Sequence, residues 1–173
     1  TWLVLGGVGL LVAFPAAYAI LMPAFYLPVT LMLLGLVLRG VSFEFRWIAK
    51  TSRFLWNIAF ALGSTIAAFM QGVIVGGMVT GVKTQGMQFA GGSFEWLTPF
   101  ALMCGLAMVA GYALLGATWL IMNTDGEVAQ RARSQAMLAL YASLAFMAIV
   151  SLWTPLEHSR IAERWFTLPN SLF

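Results

Sequence analysis

Four long stretches without a charged residue set the architecture of this chain. They are Thr1–Leu38, Phe54–Val82, Leu97–Thr124 and Ser134–Leu156. A helix that crosses a bilayer needs about 20 apolar residues, so the first stretch has room for two helices and each of the others for one. Pro23 and Pro28 predict a tight turn within Leu21–Leu27, because the residue before a proline disfavours the helical conformation. We therefore expect an all-α, polytopic transmembrane helix bundle with five spans, near residues 2–21, 28–45, 54–82, 97–122 and 134–154.

The composition agrees with this architecture and excludes an ordinary soluble domain. Hydrophobic residues make up 61% of the chain and charged residues 9%, and the mean hydropathy is +0.90. A soluble domain has about 25% charged residues because its surface faces water. The apolar surface of this chain must instead face lipid or other helices. The net charge of +3 does not indicate nucleic acid as a partner, because the basic residues are scattered at helix ends.

The basic residues also predict the orientation of the helices. They cluster around the link between the second and third spans and in the link before the fifth span. The first group is Arg39, Arg46, Lys50 and Arg53, and the second is Arg131 and Arg133. In a five-helix zigzag these two links lie on the same side of the membrane, and short loops rich in lysine and arginine face the cytoplasm. We therefore expect loops 46–53 and 123–133 to be cytoplasmic.

Glycines recur at helical spacing in the third and fourth spans. They form two GxxxG patterns, Gly72 with Gly76 and Gly77 with Gly81, followed by Gly105, Gly111 and Gly116. Glycine at this spacing lets helix backbones approach closely. The pattern therefore favours packing between helices over a cofactor pressed against the backbone.

Few polar residues in the spans could carry chemistry. Gln71 lies near the centre of the third span, where an amide must find a partner, so we expect an interhelical hydrogen bond, with a substrate or proton pathway as the alternative. Cys104 is the only cysteine, which excludes an intrachain disulfide, and His158 is the only histidine and follows the last span. No metal cluster, nucleophilic triad or nucleotide-binding loop is present in the sequence. The chain alone lacks the parts of an enzyme.

The segment Arg39-Gly-Val-Ser-Phe-Glu-Phe-Arg46 places three charges at the end of an apolar span. Helical spacing puts Arg39 and Arg46 on one side of the helix and offsets Glu44. Charges this close to hydrocarbon are unfavourable unless they are paired or solvated. In one interpretation the arginines reach lipid phosphates and Glu44 pairs with one of them. In the other, Glu44 is a proton-accepting carboxylate at the mouth of a pathway.

This segment also carries a resemblance to a known family. Three further motifs accompany it in order along the chain: Thr1-Trp-Leu-Val-Leu-Gly-Gly7, Phe94-Glu-Trp-Leu-Thr-Pro-Phe100, and Gly111-Tyr-Ala-Leu-Leu-Gly-Ala-Thr-Trp-Leu-Ile-Met122 followed by Thr124-Asp-Gly-Glu127. Together they closely resemble subunit II of cytochrome bd-type quinol oxidases, including the cyanide-insensitive branch. The family motif Trp-Asp-Gly-Asn-Glu-Thr-Trp is represented here only by Thr1 and Trp2, so we expect this chain to be part of a longer subunit.

The resemblance implies a terminal oxidase of the bacterial inner membrane that oxidises quinol and reduces dioxygen to water with protons from the cytoplasm. Haems b and d belong to subunit I of such enzymes, so this chain is expected to bind no cofactor directly. Binding of a quinone is the alternative. The implied partners are the haem-bearing subunit I, the lipid bilayer, quinol or quinone, and small accessory subunits. Glu44 matches a carboxylate proposed for proton uptake in the family, and Arg39 and Arg46 match its basic neighbours.

Two other functions remain open from the residues alone. A secondary transporter or channel would also have glycine-rich helices and a polar residue such as Gln71 at mid-depth, although no inverted repeat is evident. A purely structural membrane anchor would need only packing surfaces. Quinol-driven oxygen uptake separates an oxidase from a transporter, and substitution of Glu44 separates a proton carrier from an anchor.

Overall fold

A computed structural model describes residues 2–49, 52–86 and 88–157, and this part of the chain is almost entirely helical. The helices are α1 (Trp2–Ala13), α2 (Pro15–Ala24), α3 (Tyr26–Ile48), α4 (Arg53–Thr80), α5 (Pro99–Asn123) and α6 (Glu127–Glu157). Two short strands, β1 (Thr84–Gln85) and β2 (Gln88–Phe89), form an antiparallel hairpin between α4 and α5. The predicted fold class, an all-α polytopic membrane protein, is confirmed.

Helices α3 to α6 are each long and apolar enough to cross a membrane, whereas α1 and α2 are shorter. The prediction of one continuous helix over residues 2–21 is wrong, because the chain leaves the helical conformation at Phe14, with φ −135° and ψ 64°. The cause is Pro15, which disfavours a helical residue before it and has no N–H to donate. Pro23 and Pro28 lie within helices, and the turn expected within residues 21–27 is the single residue Phe25. The fifth crossing, by α1 and α2 together, stays a prediction.

The last helix begins earlier than its apolar stretch predicts. It starts at Glu127, so most of the predicted loop 123–133 is helical and the link to α5 is Thr124–Gly126. Gly126 has a φ of +69°, which favours glycine, and an acidic residue in the first turn stabilises the helix dipole. Glu127 and Arg131 then pair one turn apart, with 3.7 Å between Oε2 and the guanidinium. Charged residues thus extend the helix beyond its apolar part.

Each long helix packs antiparallel against the next one in the sequence, in the order α3, α4, α5, α6. At one end of the bundle, where α3 ends and α4 begins, the rings of Phe45 and Trp56 stack with 5.0 Å between centroids. At the other end, Phe100 and Trp153 meet edge to face at 6.1 Å. The two basic links therefore lie at the same end of the bundle, called here the basic end. That this end faces the cytoplasm stays a prediction.

A buried core lies at the opposite end and is built from Ala24, Phe25, Val73, Trp96 and Ala101. The ring of Phe25 occupies the space beside Gly77, where a Cβ would lie 2.5 Å from a ring carbon. Gly77 therefore makes room for the turn between α2 and α3. This end of the bundle is fixed by side-chain packing, and the chain's buried aromatic residues are concentrated there.

The first GxxxG pair packs α4 against α5. A Cβ at Gly76 would lie 2.7 Å from the Cα of Ala101, and one at Gly72 would lie 2.7 Å from the Cα of Gly105. The prediction of helix packing is confirmed for this pair. Gly81 instead ends α4 with a φ of +91°.

Candidate functional site

The three charged residues singled out from the sequence lie in the second half of α3. Arg39, Glu44 and Arg46 are all exposed on the surface of the described chain. A rise of about 1.5 Å per residue places Arg39 about 13 Å before the end of α3. Arg46 lies in the last turn of the same helix. The structure places the three residues on one helix but does not bring them together, since the five-residue step from Arg39 to Glu44 turns the side chain by about 140°.

Arg39 faces α4. Its guanidinium carbon lies 5.7 Å from the centre of the Phe60 ring, within range of a cation–π interaction. The backbone is also close at this level, because a Cβ at Gly63 would lie 2.9 Å from the amide nitrogen of Arg39. Arg39 forms no ion pair within residues 2–49, 52–86 and 88–157. A charge at this depth therefore rests against an aromatic ring without a protein counter-ion in the described chain.

Glu44 is also without an ion-pair partner among the described residues. The described residues therefore do not show the ion pair between Glu44 and Arg39 or Arg46 that one interpretation of the sequence predicts. The neighbouring Phe45 ring stacks on Trp56, which anchors this turn of α3 to α4. The Glu44 carboxylate is thus exposed on the described chain, at a helix end that is anchored to α4.

A partly open cavity of about 310 Å³, with both polar and apolar walls, lies between α3, α4 and α5. Its polar lining residues are Arg39, Ser64, Gln71 and Tyr112. The Tyr112 hydroxyl donates a 2.9 Å hydrogen bond to Oε1 of Gln71, which confirms the expected interhelical bond from that amide. The hydroxyl oxygen of Ser64 is buried and has no hydrogen-bond partner within the described protein.

Sequence reasoning did not identify this cavity. Ser64 and Tyr112 are common residues with no distinctive spacing, and the closeness of Arg39 to Glu44 in the sequence does not indicate that Arg39 faces α4. The one available signal was the sharing of a helical face by Ser64 and Gln71, seven residues apart on α4. Periodicity assigns residues to faces but does not say which neighbouring helix covers each face.

The loop that follows α4 has a defined structure at the other end of the bundle. Lys83 and Glu95 form an ion pair at 3.0 Å, and the indole N–H of Trp96 donates to the carbonyl of Ser93 at 2.9 Å. Thr98 caps α5 by accepting a 3.1 Å hydrogen bond from the amide of Ala101. The motif from Phe94 to Phe100 therefore has a structural role, joining a buried tryptophan to a capped helix start.

The described residues contain few candidate ligands for a metal or cofactor. No group of three His, Cys, Asp or Glu side chains that could hold a metal ion occurs within residues 2–49, 52–86 and 88–157. His158 lies outside the described residues. Cys104 is partly buried in α5, where its side chain faces Gly76 of α4.

The chain is similar to known proteins over nearly its whole length. The family model described as cytochrome bd terminal oxidase subunit II matches residues 1–172. A probable cytochrome oxidase subunit 2 from Haemophilus influenzae is 32% identical over 162 residues, which cover 88% of this chain and 42% of the relative. The cytochrome bd-I ubiquinol oxidase subunit 2 of Escherichia coli K12 is 31% identical over 159 residues, covering 88% and 42%.

A more distant relative agrees with these two. The cytochrome bd ubiquinol oxidase subunit 2 of Bacillus subtilis is 27% identical over 155 residues, which cover 86% of this chain and 46% of the relative. The chain thus spans less than half the length of the curated relatives that it matches.

Proposed function

Because the chain belongs to the family of cytochrome bd terminal oxidase subunit II, we propose that it works as one subunit of a membrane complex that oxidises quinol and reduces dioxygen to water. The observation that carries the proposal is the family match over residues 1–172. The relatives named as ubiquinol oxidase subunits in Escherichia coli and Bacillus subtilis support the same activity. The proposed location is the bacterial inner membrane.

In this proposal the redox centres belong to a partner, the haem-bearing subunit I. Protein haem is commonly held by axial histidine, methionine, cysteine or tyrosine ligands, and a haem with two imidazole ligands needs two histidines. His158 is the only histidine in the sequence. The haems would supply electron transfer and the reduction of dioxygen, while this chain would support them from outside the redox path.

The exposed apolar surface of the helices supports a role in packing against that partner. Helix α6 buries very few of its apolar residues within the described chain, and large side chains such as Leu138, Met147 and Leu152 are more than half exposed. Surface of this kind must be covered by lipid or by other transmembrane helices. A partner subunit with its own helices fits this requirement.

The second element of the proposal is that Glu44 takes up protons at the basic end of the bundle. Two observations support this element: Glu44 is exposed on the described chain, and it has no ion-pair partner there. The motif Arg39-Gly-Val-Ser-Phe-Glu-Phe-Arg46 resembles the family motif that includes a carboxylate at this position. Arg46 in the last turn would keep the surrounding surface positive and hydrated, whereas Arg39 faces α4 and lies apart from the carboxylate.

The oxidase assignment is tested in membranes that contain the complete subunit and its partner. We expect oxygen consumption when reduced quinol is added, and loss of both that activity and the assembled haem spectrum when the gene for this subunit is deleted. Undiminished quinol-driven oxygen uptake after deletion would contradict the assignment. Solute transport that depends on this chain without oxygen uptake would support the transporter alternative instead.

A further inference from the structure

The link between α5 and α6 contains the only aspartate of the chain. Asp125 stands directly before Gly126, in a link of three residues, Thr124–Gly126, that belongs to neither helix. Asp125 and Gly126 are both exposed on the described chain. A side-chain carboxyl group reacts most readily with the next backbone nitrogen when the next residue is glycine, because glycine has no side chain to obstruct the approach. The link is therefore a candidate site for a covalent change of the backbone.

The two groups that would react are both unengaged in the described part of the chain. The Asp125 carboxylate forms no ion pair and no hydrogen bond with residues 2–49, 52–86 and 88–157. The amide nitrogen of Gly126 donates no hydrogen bond to any residue of those same ranges. A Cβ added at Gly126 would meet no described heavy atom within 4 Å, so neighbouring helices do not crowd the residue. The nitrogen and the carboxyl group are therefore free to approach each other.

The reaction between them is an intramolecular ring closure, which tethering favours strongly over the same reaction between separate molecules. The Gly126 nitrogen attacks Cγ of the protonated Asp125 carboxyl group. The N–Cγ bond forms, a Cγ–O bond breaks, and the hydroxyl group leaves with the amide proton as water. The product is a cyclic imide that contains the nitrogen and the Cγ, Cβ, Cα and carbonyl carbon of Asp125.

Water then opens the ring on its other side. It adds to the main-chain carbonyl carbon of Asp125, the bond from that carbon to the nitrogen breaks, and the nitrogen takes up a proton. The chain now continues through Cγ, and the free carboxylate is attached to Cα. This product is isoaspartate, and it forms without an oxidant, a reductant or a cofactor, because the water released in the first step is balanced by the water added in the second.

We propose that Asp125 converts to isoaspartate in the folded protein, which makes the link between α5 and α6 a site of slow covalent ageing. The conversion inserts Cβ of Asp125 into the backbone path without changing the charge. Helix α6 starts directly after this point, where the Gly126 carbonyl accepts a 3.2 Å hydrogen bond from the amide of Gln130. The longer link loosens the start of α6. The new carboxylate is a substrate for carboxyl methyltransferases that act on isoaspartyl residues, and this inference does not depend on the proposed oxidase function.

The test measures isoaspartate in the purified, complete complex during incubation at neutral pH. Chymotrypsin and trypsin release a short peptide of residues 123–131, and electron-transfer fragmentation distinguishes isoaspartate from aspartate of the same mass. We expect the isoaspartate fraction to rise with time from its value in an unincubated sample. Gly126→Ala should slow this rise by about tenfold, which corresponds to an increase of about 1.4 kcal/mol in the activation free energy. Asp125→Glu keeps the charge and should abolish the product.

Asn123 is the internal control in the same peptide. Its side-chain amide can close the same type of ring, but it donates a 2.9 Å hydrogen bond to the carbonyl of Trp119. It also precedes Thr124, whose branched side chain crowds the backbone nitrogen. We therefore expect Asn123 to remain intact while Asp125 converts.

Three results would overturn the proposal. In the first, a synthetic peptide of residues 123–131 forms isoaspartate and the native complex does not, which would show that the fold protects Asp125. In the second, the wild type and Gly126→Ala convert at equal rates. In the third, Asn123 loses its amide as fast as Asp125 converts, which would show that the modification comes from an unfolded segment and not from the native link.

Discussion

Gly35 of α3 and Gly63 of α4 face each other so closely that neither position has room for a side chain. A Cβ at Gly35 would lie 2.8 Å from the carbonyl oxygen of Gly63, and a Cβ at Gly63 would lie 2.6 Å from the carbonyl oxygen of Gly35. The obstructing atoms belong to the backbone, so they cannot move aside as a flexible side chain would. This contact sets the separation between α3 and α4 beside the cavity lined by Arg39 and Gln71.

Replacing Gly63 by alanine is therefore expected to destabilise the bundle by about 1–3 kcal/mol, the usual range for overpacking. The measurement is the midpoint temperature of thermal unfolding of the purified complex. Gly111→Ala is the matched control, because Gly111 also lies within a helix but has no heavy atom within 4 Å of an added Cβ in the described chain. Equal midpoints for the two variants would contradict the close contact between α3 and α4.

The hydrogen bond between Tyr112 and Gln71 is expected to couple α4 to α5. Removing the hydroxyl with Tyr112→Phe should destabilise the complex by about 0.6–1.7 kcal/mol, as for other interhelical hydrogen bonds in membranes. A double-mutant cycle with Gln71→Leu measures the coupling, and the loss in the double variant should be smaller than the sum of the two single losses. Strict additivity would mean that the two side chains do not interact. Tyr141→Phe, at an exposed tyrosine of α6, serves as the control.

Glu44→Gln is expected to slow quinol-driven oxygen consumption by about tenfold, because the amide cannot carry the proton. The absorption spectrum of the haems should remain that of the wild type, and Glu44→Asp should retain most of the activity. Glu127→Gln is the control, since the Glu127 side chain is 88% exposed at the same end of the bundle and pairs with Arg131. Unchanged turnover in Glu44→Gln would exclude proton uptake at this residue and leave a structural role for the chain.

Trp96 is expected to hold the loop between α4 and α5 against the core. Trp96→Ala should destabilise the complex by about 3 kcal/mol, because the indole is 8% exposed and its removal leaves a cavity beside Phe25 and Val73. The loop should then be cut faster in limited proteolysis. Phe94→Ala removes a ring that is 69% exposed in the same loop and should change neither measurement. The same proteolysis rate in both variants would show that Trp96 does not fix the loop.

Charge-free stretches were enough to predict the long helices, because a bilayer requires backbone hydrogen bonds to be satisfied within each span. They could not place the helix ends well. Helix α6 begins at Glu127 rather than near residue 134, because exposed charged residues can form helix as well as apolar ones and Glu127 pairs with Arg131 in the first turns. The length of the first apolar stretch does not predict the break at Phe14, because length alone does not say where a helix is interrupted. Pro15 is the local signal for that break.

The candidate site was only partly predictable for a related reason. Gln71 was expected to bond to another helix, but its partner Tyr112 depends on how α5 is rotated against α4, which no local pattern contains. Arg39 and Glu44 are close in sequence yet lie on different sides of α3, and only the structure reveals that Arg39 rests on Phe60. The proton-uptake role of Glu44 stays a prediction.

The row in which each long helix packs on its predecessor also has a consequence for biogenesis. Because α4 packs on α3, α5 on α4 and α6 on α5, no helix has to wait for a later part of this row before it finds its neighbour. Helices released one at a time from the insertion machinery can therefore dock in the order of their synthesis. Small residues such as Gly72 and Gly76 let the incoming helix approach α4 closely, so the row can grow without rearranging the helices already in place.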